Sequence, residues 1–442
     1  MDNSEYEYRI IRDPIHGYVC LSKKESDLID TPIFQRLRRI KQLANSHLVY
    51  PSTMHTRFEH SLGVVEIAYR IANRIKSIKN DGDKIRALRY AALLHDIGHG
   101  PFSHVFEDII ARINNFDTFN HELITKDLLN NEEDLKKIIN NDLDNVLNLL
   151  FEVNNRQVEH CIISGPLDAD KFDYLLRDLY HAGVAYGVFD KTRVMFTLKE
   201  IKGGFLDTKE SYLGAEMGGL EAVLGMVLAK YYMYESVYSH KTRRIVDSML
   251  IRSTELAIEN DETFKRESLL YSSDNIEFLN FFKNLNDITF LNLLLNTKYD
   301  KARNIANMIY YRKLFKPIYG KDIGQLPTTI RPHILNLNRK NAKNLEEEIG
   351  RIIEIDPDFV IVDRQSISNP LYREPYGGEL QEPIYFQDKD EKVYELSDIP
   401  TPLSRTGRPT VERFWVYAPV EKDKRVKIEK RLEDFIEREM GV

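Results

Sequence analysis

The chain has 442 residues, of which 42% are hydrophobic and 30% charged, and its 62 Lys+Arg against 69 Asp+Glu give a formal net charge of -7. That length predicts more than one hydrophobic core, and the composition excludes global disorder. A mildly acidic chain is not a bulk nucleic-acid binder, so any polyanion must be met by a local basic patch.

The opening MDNSEYEYRI is polar and acidic, unlike a secretory signal. No apolar run reaches the roughly 18 residues that a membrane span needs. Cys20 and Cys161 stand far apart in no metal-type spacing and read as reduced thiols of a cytoplasmic protein. Leu62, Val65, Ala68, Ala72 and Ile75 then recur at helical spacing, as do Leu88, Ala91, Ala92 and His95. The second run puts His95 at the end of an apolar face, and Gly98, Gly100 and Pro101 stop that helix. Ser164-Gly165-Pro166 predicts another helix start, with Pro166 in its first turn. In that helix Phe172, Leu175, Leu176 and Leu179 form an apolar side, while Asp170, Tyr174 and Asp178 recur on the other. Gly219 to Asn260 predicts one long helix or two joined.

Proline use divides the chain. Of the 16 prolines, 11 lie at or after Pro317 and none between Pro166 and Pro317. The proline-free stretch reads as helices. Beyond it DFVIVD (Asp358 to Asp363), EPIYFQ (Glu382 to Gln387) and RFWVYAP (Arg413 to Pro419) read as strands, with a hairpin turn at Asp388-Lys389-Asp390-Glu391. Val420 to Glu439 reads as a charged amphipathic helix. The expected fold is mainly α: a helical domain over 1–317, then a smaller α/β domain over 318–442 with a regulatory or oligomerisation role.

Seven of the 12 histidines, His47, His55, His60, His95, His99, His104 and His121, fall in one short window. Imidazole and carboxylate are good ligands for iron, manganese, zinc or nickel. Adjacent residues on a helix point about 100° apart, but at a helix end His95 and Asp96 can turn onto one ion. The dipeptide alone would equally suit a histidine capping its own helix beside a solvated aspartate. His60, at the start of the Leu62 helix, and the Asp170 face with Lys171 add a donor, a carboxylate, a cation and a phenol. Arg36, Arg38, Arg39 and Lys41 form one basic cluster and Lys241, Arg243 and Arg244 another, both candidate phosphate clamps. Neither a Walker loop nor GxGxxG is present.

His60, His95-Asp96 and Asp170 resemble the H…HD…D signature of HD-domain phosphohydrolases. The flanks are more specific: Asp13-Pro14-Ile15-His16-Gly17, Asp30-Thr31-Pro32 through Phe34-Gln35-Arg36-Leu37-Arg38, Arg57-Phe58-Glu59-His60-Ser61, and His95 through His104. Together they resemble the deoxynucleoside triphosphate triphosphohydrolases, well over residues 8 to 250 and loosely beyond. The resemblance implies an HD-domain helical core and one divalent transition metal on His60, His95, Asp96 and Asp170, with magnesium on the nucleotide phosphates. It implies that a dNTP and water give a deoxynucleoside and tripolyphosphate. His104 and His121 would stand nearest the chemistry, one of them the general acid. Arg57, His99 and Lys171 would hold phosphates, with Lys230 near them. Gln42, Tyr174 and Asp178 would meet the sugar 3′-hydroxyl, and Leu43 and Tyr238 would crowd the 2′-carbon. A GTP or dGTP effector would use Asp30, Gln35 and Arg38 for guanine and Arg9 and Arg193 for phosphate, in a homotetramer or dimer of dimers.

The departures are Lys230 where the mammalian pattern has arginine, Ser239 where it has glutamine, and an HD region that begins almost at once with no N-terminal SAM domain. Two alternatives stay in view: an HD phosphohydrolase acting on a monophosphate, a cyclic nucleotide or (p)ppGpp, and a non-catalytic nucleotide sensor.

Overall fold

A computed structural model describes residues 8–152, 157–203, 210–264, 267–273, 275–368, 383–401 and 410–439. The chain forms two compact units interleaved in sequence. Unit 1 comprises Met1–Tyr238, Glu267–Thr289 and Pro370–Thr406, and unit 2 comprises Ser239–Arg266, Phe290–Asn369 and Gly407–Val442. Pro317 therefore lies inside unit 2, because that unit takes chain from both sides of it.

Unit 1 opens with an antiparallel hairpin, β1 (Arg9–Asp13) and β2 (Gly17–Leu21), which the helical pattern did not predict. Gly17, at φ +87°, makes its turn. Helices α1 (Lys23–Asp30) and α2 (Pro32–Gln35) follow, then α3 (Arg57–Ala72) and α4 (Gly82–Leu94). The α3 start is fixed by Glu59, whose carboxylate accepts from the Thr56 N–H at 2.8 Å. Helix α3 packs against α4, and Leu62, Val64, Val65, Ile67 and Ala68 of the one and Leu88, Ala91 and Ala92 of the other are buried. The unit continues with α5 (His104–Asn114), α6 (His121–Asn131), α7 (Glu133–Ile139), α8 (Leu143–Phe151) and α9 (Val158–Ile163).

Helix α10 (Ala169–Ala182) starts later than Ser164-Gly165-Pro166 predicts. Asp168 is its cap: the carboxylate accepts from the N–H of Lys171 at 2.7 Å and of Gly165 at 2.9 Å, which holds Pro166 in the preceding turn. Gly183, at φ +67°, ends it. The stretch from Gly219 resolves into two helices, α12 (Leu220–Met233) and α13 (Lys241–Asn260), separated by a π-helical turn at Tyr234–Tyr238. Before α12 come α11 (Lys191–Thr197), β3 (Leu198–Lys202) and β4 (Ser211–Glu216).

Helix α14 (Ile276–Phe282) belongs to unit 1, and the division falls within α15 (Asp287–Leu295). In unit 2, α13 packs on α16 (Asp300–Tyr310). The unit then adds β5 (Lys316–Asp322), α17 (Arg331–Leu335), α18 (Arg339–Ile353) and β6 (Ile361–Ser368). The predicted DFVIVD strand starts late, since Pro357–Phe359 form a 3-10 turn. Strands β7 (Tyr385–Gln387) and β8 (Val393–Glu395) form the expected hairpin, closed by the Asp388 N–H on the Lys392 carbonyl at 3.0 Å. They lie in unit 1, where β7 runs parallel to β4 in a sheet of order β3-β4-β7-β8; Glu382 falls outside the described residues. β9 (Thr410–Ala418) sits between β5 and β6, and α19 (Lys422–Asp434) covers that sheet through Ile428 and Leu432. The molecule is mainly helical with a smaller sheet-containing C-terminal region. Among the described residues no helix is long and apolar enough to cross a membrane, and neither Cys20 nor Cys161 is in a disulfide.

Candidate metal centre

Four predicted ligands converge within unit 1. His60 comes from the first turn of α3, His95 caps the end of α4, Asp96 follows it, and Asp170 lies in the first turn of α10. Nε2 of His60 stands 3.0 Å from Oδ1 of Asp170 and 3.5 Å from Oδ2 of Asp96. Nε2 of His95 stands 3.3 Å from Oδ1 of Asp96 and 3.8 Å from Oδ1 of Asp170. Donors about 2.1 Å from a shared ion stand about 3–4 Å from one another, so the spacing fits a single cation.

The tautomers fit as well. His60 donates its Nδ1–H to Asp173 at 2.8 Å, and His95 donates its Nδ1–H to the Ala92 carbonyl at 2.8 Å. Both Nε2 atoms are then lone-pair donors, buried and without a hydrogen-bond partner. A carboxylate or carbonyl behind each imidazole is the usual support of a metal-bound histidine. The His60 imidazole is pushed up to about 10: burial lowers it, but Asp170 and Asp173 outweigh burial. The field that holds a proton so firmly suits a cation.

Behind the ligands lies a buried network that the sequence did not flag. Asp173 also accepts from Nε2 of His16 at 2.6 Å and from Arg177 through two bonds of 2.8 Å, and Arg177 reaches Asp13 at 2.9 Å. Asp13 in turn accepts from the N–H groups of Ile15 and His16, each at 2.8 Å, so the β1–β2 turn is tied to α10 and α3. The motif Asp13-Pro14-Ile15-His16 carried the signal. Asp173, one turn from Arg177, has no solvent exposure.

The second half of the centre is a histidine row. His99 and His121 stack with centroids 3.6 Å apart, and their Nε2 atoms stand 3.4 and 3.6 Å from Oδ1 of Asp96. Glu107, also unflagged, accepts from Nδ1 of His121 at 2.8 Å and from Nδ1 of His104 at 2.9 Å. Burial opposes its charge, but His104 and His121 hold its carboxyl well below the ordinary range. Burial likewise lowers His121, yet Glu107 raises it on balance. Burial, with Arg57 and His121 beside it, drives His99 well down and keeps it neutral. Arg57 donates to Oδ2 of Asp96 at 2.5 Å; burial would raise that carboxyl, but Arg57, His95 and His99 hold it well below the usual range. The turn before His104 is strained, with Phe102 at φ +58° and Ser103 at φ +54°. Asp287 pins it by accepting from the Phe102 N–H at 2.7 Å, while Ser103 Oγ accepts from Nε of Arg57 at 3.1 Å.

A cavity of about 190 Å³ opens on these groups, lined by Arg57, His95, Asp96, His99, His104, His121, Asp170 and Lys171 among others. Lys171 Nζ rests on Asp168 at 2.7 Å, and Lys230 feels the charges of Lys171, Asp168 and Asp170. Asp178 is buried, accepting from Nε2 of His55 at 2.8 Å and from the Tyr238 hydroxyl at 2.6 Å; the α10 face is thus not a solvated stripe. Tyr174 meets Tyr238 edge-on at 6.3 Å. Gln42 joins this cluster through its N–H on the His55 carbonyl at 3.0 Å, with buried Leu43 beside it. Of the expected effector residues, Arg9 and Asp30 form a bidentate pair at 2.8 and 2.6 Å, and Arg38 donates to Gln35 at 2.9 Å. Arg193 is bonded to the Gly218 carbonyl at 2.6 Å instead. Of the two basic clusters, Arg38 lies over the Phe58 ring at 3.5 Å and Arg244 is paired with Asp363 at 2.6 Å.

Two family models match: the HD domain over residues 57–178 and the HD associated region over 205–439. The chain belongs to the HD-domain phosphohydrolases. An uncharacterized protein of Methanocaldococcus jannaschii is 33% identical over 95% of this chain and 81% of its own length. The deoxynucleoside triphosphate triphosphohydrolase SAMHD1 homolog of Dictyostelium discoideum is 31% identical over 71% of this chain and 60% of its own. Among solved structures, a phosphohydrolase from Bacteroides thetaiotaomicron superposes with a TM-score of 0.72 at 26% identity, covering 93% of this chain and 99% of that one. The fold is that of a hydrolase, and its His/Asp cluster is suited to a divalent metal.

Proposed function

We propose that the protein hydrolyses deoxynucleoside triphosphates to a deoxynucleoside and tripolyphosphate. The observation that carries this reading is the placement of Arg57, His99 and Lys171 around one cavity with three of the candidate metal donors, His95, Asp96 and Asp170. A row of cations and imidazoles on one side of a metal donor set suits a long phosphate chain better than a monophosphate. The name of the Dictyostelium relative supports the same substrate class.

His60, His95, Asp96 and Asp170 would hold the divalent cation. Bound there, it would polarise the α-phosphate and acidify the attacking water. Arg57 and Lys171 orient the phosphate chain, and neutral His99 donates a hydrogen bond to it. His121, whose protonated form Glu107 favours, would give its Nε2 proton to the leaving 5′-oxygen, with His104 sharing the same carboxylate. Asp178 and Tyr238, with Gln42 and Tyr174 near them, form the sugar end. Buried Leu43 and half-buried Tyr238 leave little room for a 2′-hydroxyl.

The Arg9–Asp30 and Gln35–Arg38 pairs support a GTP or dGTP effector site, and Arg193 joins it if subunits assemble as a homotetramer. Purified protein loaded with metal should release tripolyphosphate from one or more dNTPs, offered singly and in pairs and resolved by chromatography. Intact dNTPs under every pairing, or orthophosphate released from monophosphates instead, would overturn the reading.

A further inference from the structure

Arg36, one of the basic residues singled out in the sequence, is a buried cation bonded only to backbone carbonyls. Nη1 donates to Leu285 at 3.1 Å, and Nη2 donates to Ile97 and His99, each at 2.8 Å. The guanidinium lies 4.3 Å from the Phe282 ring, and its Nε has no hydrogen-bond partner. A buried donor left unmade costs about 1–3 kcal/mol, and more when it is charged.

Arg36 lines a second cavity, of about 460 Å³, away from the metal centre. Arg39, Lys283, Asn284, Asn286 and Thr289 line it too, and no carboxylate does. Arg39 is exposed. Lys283 Nζ touches Glu132 at 2.9 Å, so a ligand would share that ammonium. Two guanidiniums, an ammonium, amides and a hydroxyl around an open volume are the donor chemistry of a phosphate chain.

We infer that this cavity binds a polyphosphate group, whether free polyphosphate or the tail of a nucleotide. Its floor is Arg36, which grips the carbonyls on both sides of Gly98 and so touches the turn that carries Asp96 and His99. The site is separate from the residues placed at the metal centre and from the Arg9, Asp30, Gln35 and Arg38 group.

The test is calorimetric titration of the metal-loaded full chain with sodium tripolyphosphate at constant ionic strength. The wild type should bind at two sites per chain. Arg39→Glu with Lys283→Gln, both at the rim, should weaken one site at least tenfold and leave the other and dNTP cleavage intact. GTP displacing tripolyphosphate from the lost site identifies a nucleotide tail as the ligand; failure to displace identifies free polyphosphate. Unchanged stoichiometry and affinity in the double variant would overturn the inference. Because binding is read apart from turnover, that result is distinct from a failure to cleave dNTPs.

Discussion

Nδ1 of His60 lies 2.8 Å from Oδ2 of Asp173, and neither side chain has any solvent exposure. The contact decides which nitrogen of His60 faces Asp96 and Asp170. Asp173 is itself held by His16 and Arg177, so the ligand's orientation is set by a network that reaches the first hairpin.

Asp173→Asn keeps the shape but weakens the acceptor. Loss of such a support typically lowers metal affinity about 10–100-fold. Metal content per chain, measured after dialysis against graded free metal, should fall accordingly. A binding isotherm that coincides with the wild type would show that the carboxylate has no part in holding the site.

Gly63 of α3 lies against the side chains of α10. A Cβ there would lie 1.7 Å from Oδ1 of Asp173 and 2.5 Å from Nη2 of Arg177. Both side chains are buried and bonded, so neither swings away freely. Gly63→Ala should destabilise the protein by about 1–3 kcal/mol through overpacking, read as a lower denaturant midpoint. It should also weaken metal binding, because the displaced group is the partner of His60. A midpoint equal to that of the wild type would mean that α10 shifts without cost.

The convergence of His60, His95, Asp96 and Asp170 was legible because they are a conjunction: a helix start, a helix end and a helical stripe, each carrying a donor residue. Asp173 was not, because it stands one position off the polar stripe of Asp170, Tyr174 and Asp178, and its partner His16 is 157 residues distant. Glu107 looks like any first-turn acid of an amphipathic helix; only the fold brings His121 onto it. The helices followed from periodicity, whereas the parallel pairing of β4 with β7 joins Ala215 to Phe386 and leaves no local pattern. The Pro317 boundary failed to mark the units because proline density records chain texture, and α13 and α16, both before it, bury their apolar faces within unit 2.

Glu107→Gln removes the charge that favours the protonated form of His121. If His121 is the general acid, kcat should fall by about 10²–10⁴-fold and its alkaline limb should move to lower pH. The same carboxyl sits below its unfolded value, so its contribution to stability is present above about pH 4.3 and is lost as pH falls through the lower folded value. The variant should therefore lose part of the acid dependence of unfolding. An unshifted limb would remove His121 from the acid's role.

Lys230 offers the clearest pH signature. Burial and neighbouring Lys171 lower its ammonium to about 8, against the opposing pull of Asp168 and Asp170. Between that value and its unfolded one of 10.5, the unfolded chain binds more protons than the folded chain. Stability from this residue should thus rise with pH across that window, by about 1–2 kcal/mol after allowance for solvent screening. Phosphate binding should run the other way, since a deprotonated lysine no longer attracts the chain. The wild type should show kcat/KM declining above pH 8, the limb belonging to the free enzyme. Lys230→Arg retains its charge and should move that limb to higher pH, while Lys230→Met should lower kcat/KM at neutral pH and abolish the stability gradient. If Lys230→Arg and the wild type share one limb, Lys230 does not meet the phosphates, and the loss at high pH belongs to another group.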